Sequence, residues 1–184
     1  MRSVCLHFSL HHDDERERQM GEWHDFFLAQ AGAAGVLTGL VFVGVSINLE
    51  KILSEPALRL AGRAAEALIL LVAVLTASVL LLVPGQGTTI VGVEVLAIGL
   101  AAWGWIVAIQ LLRLKGWQAM EPDLRRAFVV RVALGQVATL PFIAAGIAVL
   151  AGGLGGLYWL AAAMVFSILV ALFDAWVLLI EINR

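Results

Sequence analysis

Five apolar stretches, each about as long as a helix that crosses a bilayer, fill the chain from Phe26 to Ile180. A transmembrane helix needs about 20 apolar residues, because each residue rises ~1.5 Å along the helix axis. On this basis the predicted spans are residues 26–49, 64–83, 88–112, 128–150 and 157–180. The sequence therefore predicts an all-α membrane bundle of five transmembrane helices, which leaves few residues for a soluble domain.

The composition supports a membrane protein and excludes several other classes. Hydrophobic residues make up 61% of the chain and charged residues 14%, against about 45–50% and about 25% in soluble domains. The net charge of −2 gives no reason to expect a basic surface for nucleic acid. The apolar composition makes the lipid bilayer the first expected partner. A single cysteine, Cys5, excludes an intrachain disulfide and any multi-cysteine metal site.

The distribution of lysine and arginine predicts the orientation of the chain. Eight basic residues lie in the 1–2 connection, the 3–4 connection and the C-terminus, and three lie in the N-terminal tail. Cytoplasmic loops carry the excess of such residues, so we expect the N-terminus outside and the C-terminus in the cytoplasm. Residues 1–25 then form an extracytoplasmic tail and residues 26–184 the transmembrane domain.

The N-terminal tail differs in character from the rest of the chain. Residues 11–18 are almost all charged or histidine, and we predict a solvated, disordered segment over residues 1–19. Met20 stands immediately before the first span and is a natural alternative start. The tail contains His11, His12, Asp13 and Asp14. Adjacent residues rarely converge on one ion, so no metal site is expected.

Four charged residues lie inside the spans, namely Glu66, Glu94, Arg131 and Asp174. Each costs roughly 2.5–3.5 kcal/mol to insert, so such residues are either paired or functional. On a helical wheel each one shares its face mainly with small residues, which predicts that all four faces point into protein.

Three of these charges, Glu66, Arg131 and Asp174, fall within about 10 Å of the cytoplasmic boundary in this orientation. We expect a buried ion pair between Arg131 and Asp174 that fixes helix register, with Glu66 bound by Arg63 one turn earlier. The alternative is a polar vestibule, lined by these charges and also by Asn48, that admits ions from the cytoplasm.

Glu94 differs because no basic residue in any span lies at its depth, near the outer boundary. Three interpretations remain open: protonation in lipid, extension toward the interface to bond Gln86 or Thr89, or exposure to water in a pore. Copies of Glu94 from several subunits would form a carboxylate ring, which favours cations.

The first span contains a small-residue stripe at four-residue spacing, formed by Ala31, Gly35 and Gly39. Such a stripe lets a second helix approach closely, either within the chain or between subunits. We therefore predict helix packing on this face.

A set of local patterns resembles a group of small uncharacterised bacterial inner-membrane proteins. The patterns begin with Trp23-His24-Asp25-Phe26-Phe27 and continue through Gly39-Leu40-Val41-Phe42-Val43 and Gly62-Arg63-Ala64-Ala65-Glu66. The resemblance covers roughly the first half of the chain and implies a bacterial source and the inner membrane. It also favours Met20 as the start, and it implies no activity, cofactor or site.

The function classes can be ranked from these residues. An enzyme is not expected, because the spans contain no histidine and no paired aspartates. No cofactor is expected either, since haem would need axial ligands within the spans. We predict a homo-oligomer that forms a cation-permeable channel, with Glu94, Glu66 and Asn48 along the ion path. The alternative is a structural or accessory protein that binds another membrane protein without transport.

Overall fold

The structure is a computed structural model that describes residues 2–50, 58–114, 122–153 and 155–182. These residues form five α-helices: α1 (Arg2–Ile47), α2 (Leu58–Leu81), α3 (Thr88–Leu114), α4 (Pro122–Leu150) and α5 (Gly156–Ile182). All five are long and apolar enough to cross a membrane, over Trp23–Ile47, Ala61–Leu81, Thr88–Leu112, Arg125–Leu150 and Gly156–Leu178. The prediction of an all-α chain with five helices of spanning length is confirmed. Each predicted span boundary lies within three residues of an end of the corresponding apolar helix segment.

Helix α1 begins well before the first span. Its 46 residues rise about 69 Å, more than twice the ~30 Å thickness of the hydrocarbon core. The part of α1 that precedes the first span, from Arg2 onward, is helical. Its Glu, Arg, Gln and Met residues are good helix formers. Disorder of residues 1–19 in solution stays a prediction.

The two ends of the bundle differ in charge. At one end, which we call the neutral end, uncharged turns connect α2 to α3 and α4 to α5. These turns contain Gly85 and Gly152 at φ values of 76° and 83°, a left-handed conformation that favours glycine. At the opposite end, which we call the basic end, α2 and α4 carry Arg63, Arg125 and Arg126.

Helix α2 is the central element of the bundle. It packs against α1, α3 and α5, whereas α1 contacts mainly α2 and touches α5 only slightly. In α2, 50% of the most apolar 18-residue segment is buried inside the bundle, whereas in α1 only 17% of the corresponding segment is buried. The interior is therefore built by α2 to α5, and α1 lies on its outside.

The closest helix approach in the described chain involves α3 and α4. A Cβ atom on Gly146 would lie 2.7 Å from the backbone N and Cα of Leu96, and one on Gly99 would lie 3.0 Å from the backbone N of Ile143. Helices can come this near only where side chains are absent. Glycines that are far apart in sequence thus bring α3 and α4 into backbone contact.

The predicted stripe on α1 makes much looser contacts within the chain. A Cβ on Gly35 would meet only Leu75, at an ordinary 3.8 Å, and one on Gly39 would meet nothing within 4 Å. Ala31 is half-buried and Gly39 is exposed. The stripe therefore provides no tight intrachain helix packing, and its role between subunits stays a prediction.

Candidate functional site

Three of the four embedded charges lie together inside the bundle, toward the basic end. The exposed fractions of Glu66, Arg131 and Asp174 are 3%, 9% and 5%. The small residues predicted to share their faces are buried as well, including Ala73, Ala138 and Ser167. For α2, α4 and α5 the prediction that the charged face points into protein is confirmed.

A buried ion pair joins α2 to α4. The Nε of Arg131 donates a hydrogen bond to Oε2 of Glu66 at 2.8 Å. The sequence predicted Asp174 opposite Arg131 and Arg63 opposite Glu66. The structure shows that Glu66 of α2 reaches Arg131 of α4, and the pair between Arg131 and Asp174 stays a prediction. Helical spacing within one span contains no information about this contact.

The ion pair forms part of the wall of a cavity of about 240 Å³. Four charged side chains line it, two basic and two acidic: Arg63, Glu66, Arg131 and Asp174. The remaining wall is apolar and is formed by residues of α2, α3, α4 and α5. The formal charges of these four side chains cancel, so the described residues that line the cavity make it polar without a net charge.

Two guanidinium nitrogens at this cavity lack hydrogen-bond acceptors among the described residues. They are Nη1 of Arg63 and Nη2 of Arg131, and both atoms are buried. A buried N–H group without an acceptor costs about 1–3 kcal/mol, and more when it is charged. The Oε1 atom of Glu66 also accepts no hydrogen bond from a described residue, whereas its Oε2 atom binds Arg131. The residues around the cavity thus have both donor and acceptor capacity for a polar group.

Gln110 of α3 is a buried polar residue that the sequence did not single out. It is 5% exposed and packs against Gly135 of α4, where a Cβ would lie 2.9 Å from its Nε2. Its burial could have been predicted from its position on α3. It lies on the same helix face as Gly92, Gly99 and Ile106, all of which are buried. This face, defined by seven-residue spacing, is the one that packs on α4.

Glu94 lies apart from the other charges, near the neutral end of α3. It is half-buried, and the Nε2 of Gln86 lies 3.3 Å from each of its carboxylate oxygens. The residues that share its face are exposed, including Ala97, Ala101 and Trp105. Within the described chain this face is largely exposed, because α3 uses its glycine face to pack on α4. Contact of the Glu94 face with another protein chain stays a prediction.

Asn48 lies beyond the end of α1 and is half-buried. Its Nδ2 donates to the backbone carbonyl of Gly44 at 2.9 Å, within the same segment. Glu66, Glu94 and Asn48, the three residues proposed for an ion path, thus lie on three helices or helix ends and at two different depths. Each of the three makes a polar contact with another residue of its own chain.

The chemistry available at the cavity is that of charge recognition. Carboxylates and guanidinium groups can bind polar groups of either sign, and guanidinium groups suit phosphate and carboxylate in particular. Within the described part of the chain, no group of three or more histidine, cysteine or acidic side chains could hold a metal ion. The candidate site is therefore a small cavity suited to a polar ligand.

Comparison with known proteins adds no assignment to this picture. The chain matches no protein-family model, no curated protein and no solved structure. The fold and the cavity themselves are therefore the basis for a function.

Proposed function

We propose that this multi-pass membrane protein has a structural or accessory role and binds other membrane components without transporting a solute. The observation that carries the proposal is the buried hydrogen-bonded ion pair between Glu66 and Arg131. Carboxylates that face water are one way in which a pore favours cations. Here Glu66, the acid of α2, is instead neutralised inside the bundle. Embedded charges of opposite sign that pair in this way fix how helices pack.

The expected result in a flux assay follows from this neutralisation. Liposomes that contain the purified protein should show no K⁺ or Na⁺ flux above that of protein-free liposomes under opposite ion gradients. Reconstitution is verified by protease protection, so that an absent flux cannot arise from an absent protein. Reproducible cation flux that scales with the amount of protein would contradict the accessory role.

A second candidate is a homo-oligomer that conducts cations, and one observation favours it. Glu94 lies on an outward-facing stripe of α3 with exposed small residues, where a second copy of the chain can approach. The Gln86 amide holds its carboxylate by both oxygens. Several copies arranged around an axis would then present a ring of carboxylates, which favours cations.

The same liposome assay separates the two candidates when it includes Glu94→Gln. If the oligomer conducts cations through a Glu94 ring, this variant loses cation selectivity while remaining folded. Glu50→Gln is the matched control, because Glu50 is an exposed acid just beyond the first span. If both variants and the unmodified protein show the same cation flux, the protein is a channel whose selectivity does not depend on Glu94.

We also propose that the chain resides in a bacterial inner membrane with its N-terminus outside. The resemblance described above and the eight-to-three distribution of basic residues support this location and orientation.

Cys5 offers a direct test of this orientation, because it is the single cysteine of the chain. In intact spheroplasts a membrane-impermeant maleimide should label Cys5 without prior lysis. A Cys5→Ser variant with cysteine introduced at Asn183 should be labelled only after lysis. If Cys5 is labelled only after lysis, the N-terminus lies in the cytoplasm and the proposed orientation is wrong.

A further inference from the structure

We propose that the charged cavity binds the headgroup of a membrane lipid that carries both a phosphate and a primary ammonium group. The cavity is the space of about 240 Å³ lined by Arg63, Glu66, Arg131 and Asp174. This inference concerns a ligand site and holds whether or not the protein conducts ions. It depends on the guanidinium donors, on the position of the opening and on the charge balance.

The guanidinium groups favour an acceptor. Arg63 and Arg131 both line the cavity, and each has one buried guanidinium nitrogen, Nη1 and Nη2 respectively, without an acceptor among the described residues. Arg131 is itself 9% exposed, so water reaches it poorly. Phosphate is well matched to guanidinium groups, because its oxygens accept charge-assisted hydrogen bonds from several directions. Basic pockets between transmembrane helices bind lipid headgroups by this chemistry.

The opening of the cavity faces lipid. Among its lining residues, those classed as exposed are Ala127 and Val130 of α4 and Phe173 of α5. Val130 and Phe173 are 58% and 51% exposed, and both lie within predicted membrane-spanning segments. A polar group that enters the cavity between α4 and α5 therefore comes from the lipid that surrounds these helices. A lipid molecule can place its headgroup in the cavity while its acyl chains stay in the bilayer.

The size of the cavity is consistent with a headgroup. Its volume of about 240 Å³ is below the roughly 300–1,000 Å³ typical of sites that enclose a drug-sized molecule. The apolar residues at the mouth, Val130 and Phe173, would contact the first carbons of the acyl chains. The charged residues behind them would contact the polar group.

The charge balance selects among headgroups. The four lining charges sum to zero, so a phosphate alone would leave one uncompensated negative charge in a region of low dielectric. A headgroup that carries its own ammonium keeps the total at zero. Asp174 lines the same cavity, and a carboxylate offers about four acceptor positions, so it can bind an ammonium N–H alongside its existing contacts.

The test is native mass spectrometry of the full chain after delipidation, with defined synthetic lipids added back. We expect phosphatidylethanolamine to bind at least about tenfold more tightly than phosphatidylglycerol, which lacks the ammonium, or phosphatidylcholine, whose quaternary ammonium donates no hydrogen bond. Equal binding of the three lipids would overturn the proposal. Preference for phosphatidylglycerol would overturn the zwitterionic assignment.

Two variants connect the binding to this cavity. Arg63→Gln removes one donor and should weaken binding at least about tenfold. Val130→Trp narrows the mouth from an exposed position and should also weaken binding without altering the charges. Arg126→Gln is the matched control for the first, because Arg126 is an exposed arginine of α4 that does not line the cavity. If Arg126→Gln weakens lipid binding as much as Arg63→Gln does, the binding depends on general surface charge and not on this cavity.

A final arm distinguishes a lipid from a soluble ligand of the same chemistry. Glycerophosphoethanolamine has the headgroup but no acyl chains, and we expect it to compete only at concentrations at least about a hundredfold higher than the lipid. If it competes at the same concentration as the lipid, the acyl chains and the mouth between α4 and α5 contribute nothing to affinity. The ligand of the cavity would then be a small soluble molecule and not a lipid.

Discussion

Replacing Arg131 by methionine is expected to lower the free energy of unfolding by about 3–5 kcal/mol. Glu66 is 3% exposed and accepts a hydrogen bond from Arg131 Nε at 2.8 Å. Removal of the guanidinium would take this charge-assisted hydrogen bond away from a cavity that two acids, Glu66 and Asp174, line. A buried carboxylate without its counter-charge is far less favourable than the pair or than an apolar replacement of both.

The measurement is reversible unfolding of the purified protein in mixed detergent micelles, followed by tryptophan fluorescence. The double variant Arg131→Met with Glu66→Leu should regain most of the lost stability, because well-packed apolar residues can replace a buried ion pair. Arg126→Met is the matched control, since it removes an exposed arginine from the same helix. If Arg131→Met and Arg126→Met destabilise the protein equally, the ion pair has no special role in folding.

Replacing Gly146 by alanine is expected to cost about 1–3 kcal/mol of stability, although alanine is the better helix former. The added Cβ would lie 2.7 Å from both the backbone N and Cα of Leu96. Backbone atoms in a helix cannot turn aside as a flexible side chain can, so α3 and α4 must separate. Separation weakens the dispersion contacts along their whole interface, on which association of helices in lipid depends.

Gly104→Ala provides the matched control on the partner helix. A Cβ at Gly104 would meet nothing within 4 Å, so this variant should be neutral or slightly stabilising. Both variants are compared in the same micelle unfolding assay. A spin-label pair on the exposed Leu100 and Ile147 reports the separation of α3 and α4. An unaltered spin–spin distance in Gly146→Ala would show that the contact relaxes without moving the helices.

The spans could be predicted because they follow from a local property. About 20 consecutive apolar residues bounded by charged or glycine-rich segments have few alternatives in a bilayer, where every backbone group must be hydrogen-bonded internally. The burial of Glu66, Arg131 and Asp174 could also be predicted, because small residues share their faces and lipid does not solvate a charge.

The contact between Glu66 and Arg131 could not be predicted in the same way. It depends on the arrangement of α2, α4 and α5 around one another. Helical periodicity determines the face of each helix but does not determine its neighbour. The face of α3 that packs within the chain could not be predicted for a related reason. Helix α3 has two stripes of small residues, and the one with Gly92 and Gly99 packs on α4.

The contact between Glu66 and Arg131 has a consequence for biosynthesis, because it joins residues that are 65 positions apart. Ribosomes add roughly 5–20 residues per second, so Glu66 leaves the ribosome about 3–13 s before Arg131 does. During this interval α2 has left the ribosome without its counter-charge. The chain must either remain at the insertion machinery until α4 arrives or shelter Glu66 temporarily, with Arg63 one turn away on the same helix. The rate at which α4 is delivered therefore sets how long this protein is exposed to misassembly.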